Sequence, residues 1–300
     1  MSGPQDWPTT LGLIAATAAG TVGCLAAAAR IARGEGDRLP ERLAAILLCV
    51  LASAVFLYRA VAVHSAWAPL EYHVDGLSLL AAMLGAVTVY LQWTRRLLGV
   101  GAAVLGAAAL LSLWGVCASW WTLREFEIRG VWRQFHLLSV YLGTFGVTFA
   151  AAAGAMWLYV DRQLRSKDHR AERLKRLGRL ASLESLEAAV TRSATLGFAL
   201  LTAGLATGVV IVASESSRFA PGWWYSPKVL LAAATWLMLG LVMNVRHVAT
   251  FRGRRAAALS VLGFVLLIIV LALPTGPMRN LTTGHPEAQP EFEVSPRGGG

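Results

Sequence analysis

Eight long apolar runs are the feature that most constrains the fold of this 300-residue chain. About 20 consecutive apolar residues suffice for a helix to cross a bilayer, and a helix satisfies its own backbone polar groups in lipid. The runs are rich in Ala, Leu, Val and Gly without strand-like alternation. They cover residues 9–31, 42–63, 75–93, 98–121, 134–160, 190–214, 228–248 and 256–273. The sequence therefore predicts an all-α integral membrane protein with about eight transmembrane helices.

The distribution of Lys and Arg predicts the orientation of these helices. Nineteen of the 27 basic residues lie in or beside the loops that follow the first, third, fifth and seventh runs. Seven lie in the alternate loops and the termini, and Arg59 lies within the second run. Because basic loops stay on the cytoplasmic side, both termini are expected outside the cytoplasm. The net charge of +10 is then mostly membrane-surface charge, not a nucleic-acid footprint.

The runs divide the chain into three regions. Residues 1–130 form an N-terminal four-helix membrane region, and residues 131–285 form a membrane core that holds most of the unusual side chains. Residues 286–300 are rich in Pro, Glu and Gly without an apolar period, so we expect a disordered external tail. The three cysteines lie singly in apolar runs, which argues against a disulfide framework, a zinc site or covalent heme attachment by this chain.

Two histidines and three aromatic residues converge on the predicted external side. His136 opens the fifth helix, His285 follows the eighth, and Trp223, Trp224 and Tyr225 precede the seventh. Imidazole is a usual axial ligand of heme iron and the macrocycle needs a flat apolar wall, so this set predicts a bis-histidine heme site. Zinc would more naturally need a third or fourth ligand nearby. From composition alone, interfacial histidines and an ordinary aromatic belt account for the same residues.

A further histidine lies near the predicted cytoplasmic end of the seventh helix. His247 follows Trp236 by eleven residues, about three turns, which places both on nearly the same helix face. An ionisable residue at the membrane edge is a functional candidate, although Arg246 beside it also allows an anchoring role. If His247 binds heme iron, a partner protein has to supply the second intramembrane ligand, because this chain offers no other well-placed histidine.

Residues 130–285 resemble the cytochrome c assembly family of heme-handling membrane proteins, which includes CcsA/ResC, CcmC and HemX-like proteins. The resemblance lies in FHLLSVYLGTFGVTFAAAAGAMWLYVDRQL, GWWYSPKVLLAAATWLMLGLVMNVRH and FRGRRAAALSVLGFVLLIIV. The second stretch is similar to the family's tryptophan-rich signature, whose centre reads Trp-Asp-Pro-Lys-Glu. Here Tyr225 and Ser226 replace Trp-Asp, and Val229 replaces Glu, so both signature carboxylates are missing.

The resemblance implies a set of heme-binding residues. His136 and His285 match the external iron ligands, and His247 matches the intramembrane ligand. The implied aromatic platform consists of Trp223, Trp224 and Tyr225, with Trp236 behind it.

The resemblance also implies a function and partners. Heme b would bind non-covalently and transiently, and would be delivered at the cytoplasmic membrane of a bacterium for c-type cytochrome biogenesis. Apocytochrome c and a ResB/CcsB-like membrane protein that supplies an intramembrane His are the implied partners. The chain is expected to be a heme-handling component of a cytochrome c synthetase complex more than a stand-alone enzyme.

A second hypothesis is a non-catalytic, HemX-like membrane regulator or scaffold of heme metabolism, which the loss of the two carboxylates favours. A small-molecule transporter has little support, because we find neither an inverted repeat nor a matching pair of broken helices.

Overall fold

A computed structural model describes residues 6–33, 38–63, 70, 72–94, 97–120, 130–165, 180–214, 222–244 and 253–273. Within these ranges the chain forms helices and helical turns, without a strand. The helices are α1 (Trp7–Arg33), α2 (Leu39–Tyr58), α3 (His73–Thr94), α4 (Val100–Ser119), α5 (Val131–Arg165), α6 (Leu183–Ser214), α7 (Pro227–Met243) and α8 (Arg254–Ala272). A π-helical turn (Arg59–Val63) continues α2, and a 3-10 turn (Trp223–Tyr225) precedes α7. The predicted all-α fold is confirmed.

Each predicted apolar run coincides with one helix. Seven helices are long and apolar enough to cross a membrane, and α7, with 17 residues, is a shorter apolar helix. The predicted seventh run extends to residue 248, but residues 245–252 lie outside the described ranges. The chain is therefore a multi-pass membrane protein.

The helices alternate in direction, so that α1, α3, α5 and α7 begin at the end of the bundle where the others finish. The hydroxyls of Thr10 in α1 and Ser119 in α4 lie 3.3 Å apart at this end. The Lys228 ammonium, in the first turn of α7, donates to the carbonyl of Leu273, which follows α8, at 3.3 Å. We call this the His136 end, because the second turn of α5 lies there.

The central pair, α5 and α6, packs through glycines. A Cβ atom added to Gly146 would come within 2.9 Å of the Gly197 backbone, and one added to Gly143 would come within 2.8 Å of the Leu201 side chain. Only residues without a side chain permit this approach, which is how helices in membranes gain close van der Waals contact. The short interhelical distance brings the α6 backbone within reach of side chains on α5.

A buried ion-pair network joins α1, α2 and α3 at the His136 end. The Arg59 guanidinium donates to the Asp75 carboxylate, and its Nη1 donates to Asp6 Oδ2 at 3.1 Å. The Tyr72 backbone N–H donates to Asp75 Oδ2 at 3.0 Å, and the Tyr72 ring centroid lies 5.5 Å from the guanidinium carbon. Asp75 is 1% exposed, so its charge depends on these partners. The network accounts for a charged residue inside the second apolar run.

We predict that Arg59→Met strongly destabilises the protein, because it leaves the Asp75 carboxylate buried without its ion pair. Breaking one partner of a buried pair costs about 3–5 kcal/mol. The matched control is Arg165→Met, which breaks an exposed i,i+4 pair with Asp161 and should cost at most about 1 kcal/mol. Thermal unfolding in detergent micelles measures both, and equal losses would contradict the prediction.

Candidate functional site

The side chain of His136, in α5, is oriented by a hydrogen bond to the neighbouring helix α6. Its Nδ1 lies 2.7 Å from the carbonyl oxygen of Gly204 on α6. A carbonyl oxygen only accepts, so Nδ1 carries the proton and donates it. The lone pair of the neutral ring is then on Nε2. Metal-binding histidines in proteins are oriented by this kind of N–H···O=C bond, so the donor chemistry of His136 fits an iron ligand.

Two further residues of α6, Thr207 and Gly208, form a cradle around the His136 ring together with Gly204. The Thr207 hydroxyl donates to the carbonyls of Ala203 and Gly204, at 2.8 and 2.9 Å, and lies 3.4 Å from His136 Nδ1. A Cβ atom at Gly208 would lie 3.1 Å from Cε1 of the same ring. This cradle was not predicted from the sequence. Its signal is the run of small residues in GLATG, but nothing in the sequence pairs this run with a side chain about 70 residues earlier.

Two of the three predicted platform residues form an exposed ring pair. The ring centroids of Trp224 and Tyr225 lie 4.5 Å apart with an interplanar angle of 33°. The two side chains are 56% and 67% exposed. Trp223 belongs to the same 3-10 turn, but its side chain lies outside the described part of the structure. The pair presents flat apolar surface directly before α7.

Trp236 packs between helices and does not reach the ring pair. Its indole N–H donates to the Thr202 hydroxyl at 2.8 Å, and its ring stacks on Phe198 at a centroid distance of 5.2 Å. These contacts fix the height of α7 against α6, to which it runs antiparallel. Pro227, nine residues before Trp236, then lies about 5–10 Å farther out than His136 along the bundle axis. His136 and the ring pair therefore share one end of the bundle at different depths.

Ser226 caps the N-terminus of α7 in the position of the signature Asp. Its backbone is extended (φ −61°, ψ 141°), and its hydroxyl accepts from the Val229 N–H at 3.4 Å, with Pro227 at the first helical position. Asp and Ser are comparably good N-caps, and Asp-x-x-Glu is the spacing of a capping box. Ser226 thus keeps the cap, whereas Val229 loses only the reciprocal half of the box. Without the two signature carboxylates, α7 still begins at Pro227, directly after the ring pair.

The other predicted ligands, His247 and His285, lie outside the described residues, as does the predicted tail 286–300. Among the side chains that the structure does describe, no group of three or more His, Cys, Asp or Glu residues could hold a metal ion. A protein-only zinc site is therefore not found in those ranges, whereas heme iron requires at most two protein ligands.

These features define the class: a multi-pass, all-helical membrane protein with an oriented imidazole and an exposed aromatic pair at one end of its bundle. The model of the family described as cytochrome C assembly protein matches residues 41–273. The chain belongs to the cytochrome c assembly protein family, which confirms the resemblance seen in the sequence.

Curated relatives match over a shorter stretch. "Cytochrome c biogenesis protein CcsA" from Prochlorococcus marinus strain MIT 9312 is 35% identical over 78 residues, which are 26% of this chain and 24% of that protein. The protein with the same description from Cyanophora paradoxa is 32% identical over 78 residues, which are 26% of this chain and 23% of that protein. The chain thus spans about a quarter of the length of the curated relatives it matches. No solved structure matches it.

We predict that Ser226→Ala destabilises the protein by about 1 kcal/mol, because the first turn of α7 loses its side-chain cap. Ser226→Asp should retain the stability of the natural protein, since an Asp side chain caps equally well. Thermal unfolding in detergent micelles compares the two variants. A loss of stability in Ser226→Asp as large as in Ser226→Ala would show that the hydroxyl is needed for something other than capping.

Proposed function

We propose that this protein binds heme b and delivers it for c-type cytochrome biogenesis. The observation that carries the proposal is the Nδ1–H···O=C bond from His136 to Gly204, which selects the ring tautomer that an iron ligand needs. Family membership and the CcsA description of the relatives support the same role.

The residues of this chain would bind and orient the macrocycle. His136 Nε2 would ligate the iron, and the exposed faces of Trp224 and Tyr225, with Trp223, would provide the apolar wall. His285 would be the second external ligand, and His247 a ligand nearer the opposite end of the bundle. Heme itself supplies the iron and the vinyl groups with which apocytochrome thiols react. Trp236 contributes indirectly, by fixing α7 on α6.

Orientation and partners follow from the same proposal. The excess of basic residues in the loops at the end of the bundle opposite to His136 supports an orientation with that end in the cytoplasm and the ring pair outside. The protein would lie in the cytoplasmic membrane of a bacterium. Apocytochrome c would meet heme at the ring pair, and a ResB/CcsB-like membrane protein would supply an intramembrane His opposite His247.

We predict that His136→Ala lowers the heme b content of protein purified from heme-replete cells by more than about tenfold. Mutation of a residue that only orients a metal ligand lowers metal affinity by about 10- to 100-fold. Loss of the ligand itself should therefore lower it by at least about tenfold. His169→Ala, in the basic stretch of sequence between α5 and α6, is the matched histidine control and should leave heme content unchanged. Free imidazole should restore the spectrum of His136→Gly. Equal heme content in His136→Ala and the natural protein would refute the assignment.

We also predict that deletion of the encoding gene abolishes c-type cytochromes, because heme delivery precedes their covalent assembly. Heme staining of membrane proteins measures the cytochromes, and quantification of tetrapyrrole precursors provides the comparison. Intact c-type cytochromes with altered precursors would instead support the regulator hypothesis. The absence of the signature Asp favours that hypothesis. Ser226 caps α7 in the position of this Asp, so the capping role of the Asp is not lost.

A further inference from the structure

The N-terminal helices meet α5 at a tightly packed junction close to His136. Gly76 in the first turn of α3 faces Tyr141 of α5, and a Cβ atom at Gly76 would overlap the Tyr141 ring. Tyr141 is 3% exposed, and its hydroxyl lies 3.5 Å from Nδ1 of His73, the first residue of α3. We call Gly76, Tyr141 and His73 the α3–α5 junction. Any rotation of α5 has to move the Tyr141 ring against the α3 backbone.

The α3–α5 junction and the histidine cradle contact different faces of α5. Tyr141 follows His136 by five residues, about 7.5 Å along the axis and about 140° around it. His136 accordingly faces α6, whereas Tyr141 faces α3. The His136 end of α5 is therefore fixed from two directions, and its rotation about its own axis is defined by both.

The α3 side of the junction is itself anchored. Asp75, adjacent to Gly76, is the buried carboxylate that pairs with Arg59, which also pairs with Asp6. The apolar side chains of Leu70 and Leu137 pack with Tyr141 in one buried cluster. The start of α3 thus belongs to a rigid group of elements that includes the start of α1 and the end of α2, and Tyr141 joins this group to α5.

We infer that α1, α2 and α3 position His136 for heme, acting through the α3–α5 junction of Gly76, Tyr141 and His73. The inference rests on the proposed function, and it assigns a task to the part of the chain that carries no heme-binding motif. Gly76, His73 and Tyr141 are positioning residues: they set the rotation of α5, which directs His136 Nε2. Changes along such a packed network alter ligand affinity by about 2- to 30-fold.

The test uses the full-length protein in detergent and compares two glycines of α3. Gly76→Ala adds a methyl group that overlaps Tyr141. Gly85→Ala adds one that would lie 2.9 Å from the Cys49 backbone on α2, so it strains the same helix without touching α5. We expect Gly76→Ala to weaken heme binding by about 2- to 30-fold and to shift the reduction potential and visible spectrum of the bound heme. Gly85→Ala should lower the unfolding temperature but leave potential and spectrum unchanged.

Tyr141→Phe keeps the ring and removes only the hydroxyl, so it tests the junction without a steric clash. It should shift the potential in the same direction as Gly76→Ala, by a smaller amount. If Gly76→Ala and Gly85→Ala change the potential equally, or if Gly76→Ala and Tyr141→Phe both leave it unchanged, the inference is wrong. If His136→Ala itself retains heme, the proposed function fails instead, so the two failures are distinguishable.

Discussion

The close approach of α5 and α6 is the constraint on which the rest of this molecule depends. Gly146 and Gly197 let the two backbones meet without intervening side chains, and this spacing allows the His136 ring to reach a carbonyl of the neighbouring helix. The same carbonyl also accepts from the Thr207 hydroxyl, so both side chains converge on one point of the α6 backbone. A larger residue at the contact would separate the helices and leave the half-buried imidazole N–H without this acceptor. The packing of the two helices and the orientation of the imidazole are therefore set by the same glycines.

Helix positions within the described ranges were predictable from the sequence, because each apolar run is long enough to dominate its local structure. All eight runs became helices, with ends that differ by a few residues. The partners of Arg59 were not predictable in the same way. Asp6 and Asp75 are 53 and 16 residues away, and only the packing of α1, α2 and α3 brings the three charges together.

The candidate site was predictable in its residue types and only partly in its geometry. His136 and the rings Trp224 and Tyr225 do lie at one end of the bundle, as the topology required. The cradle on α6 was not visible, because Gly204, Thr207 and Gly208 read in sequence as ordinary membrane-helix residues. The significance of Ser226 was also hidden. In the sequence, Ser226 differs from the family signature by the loss of a carboxylate. In the structure, its backbone geometry and hydroxyl make it the N-cap of α7.

The bond from Lys228 to the carbonyl of Leu273 has a consequence for the chain that follows α8. It fixes the point of departure of that chain beside the start of α7, next to the aromatic pair. A side chain at position 285 is tethered to this point by twelve residues, which span at most about 43 Å when fully extended. Residue 285 therefore cannot lie farther than this from Leu273, whatever conformation the intervening chain adopts. One hydrogen bond from Lys228 thus centres that limit on the end of the bundle that carries the aromatic pair.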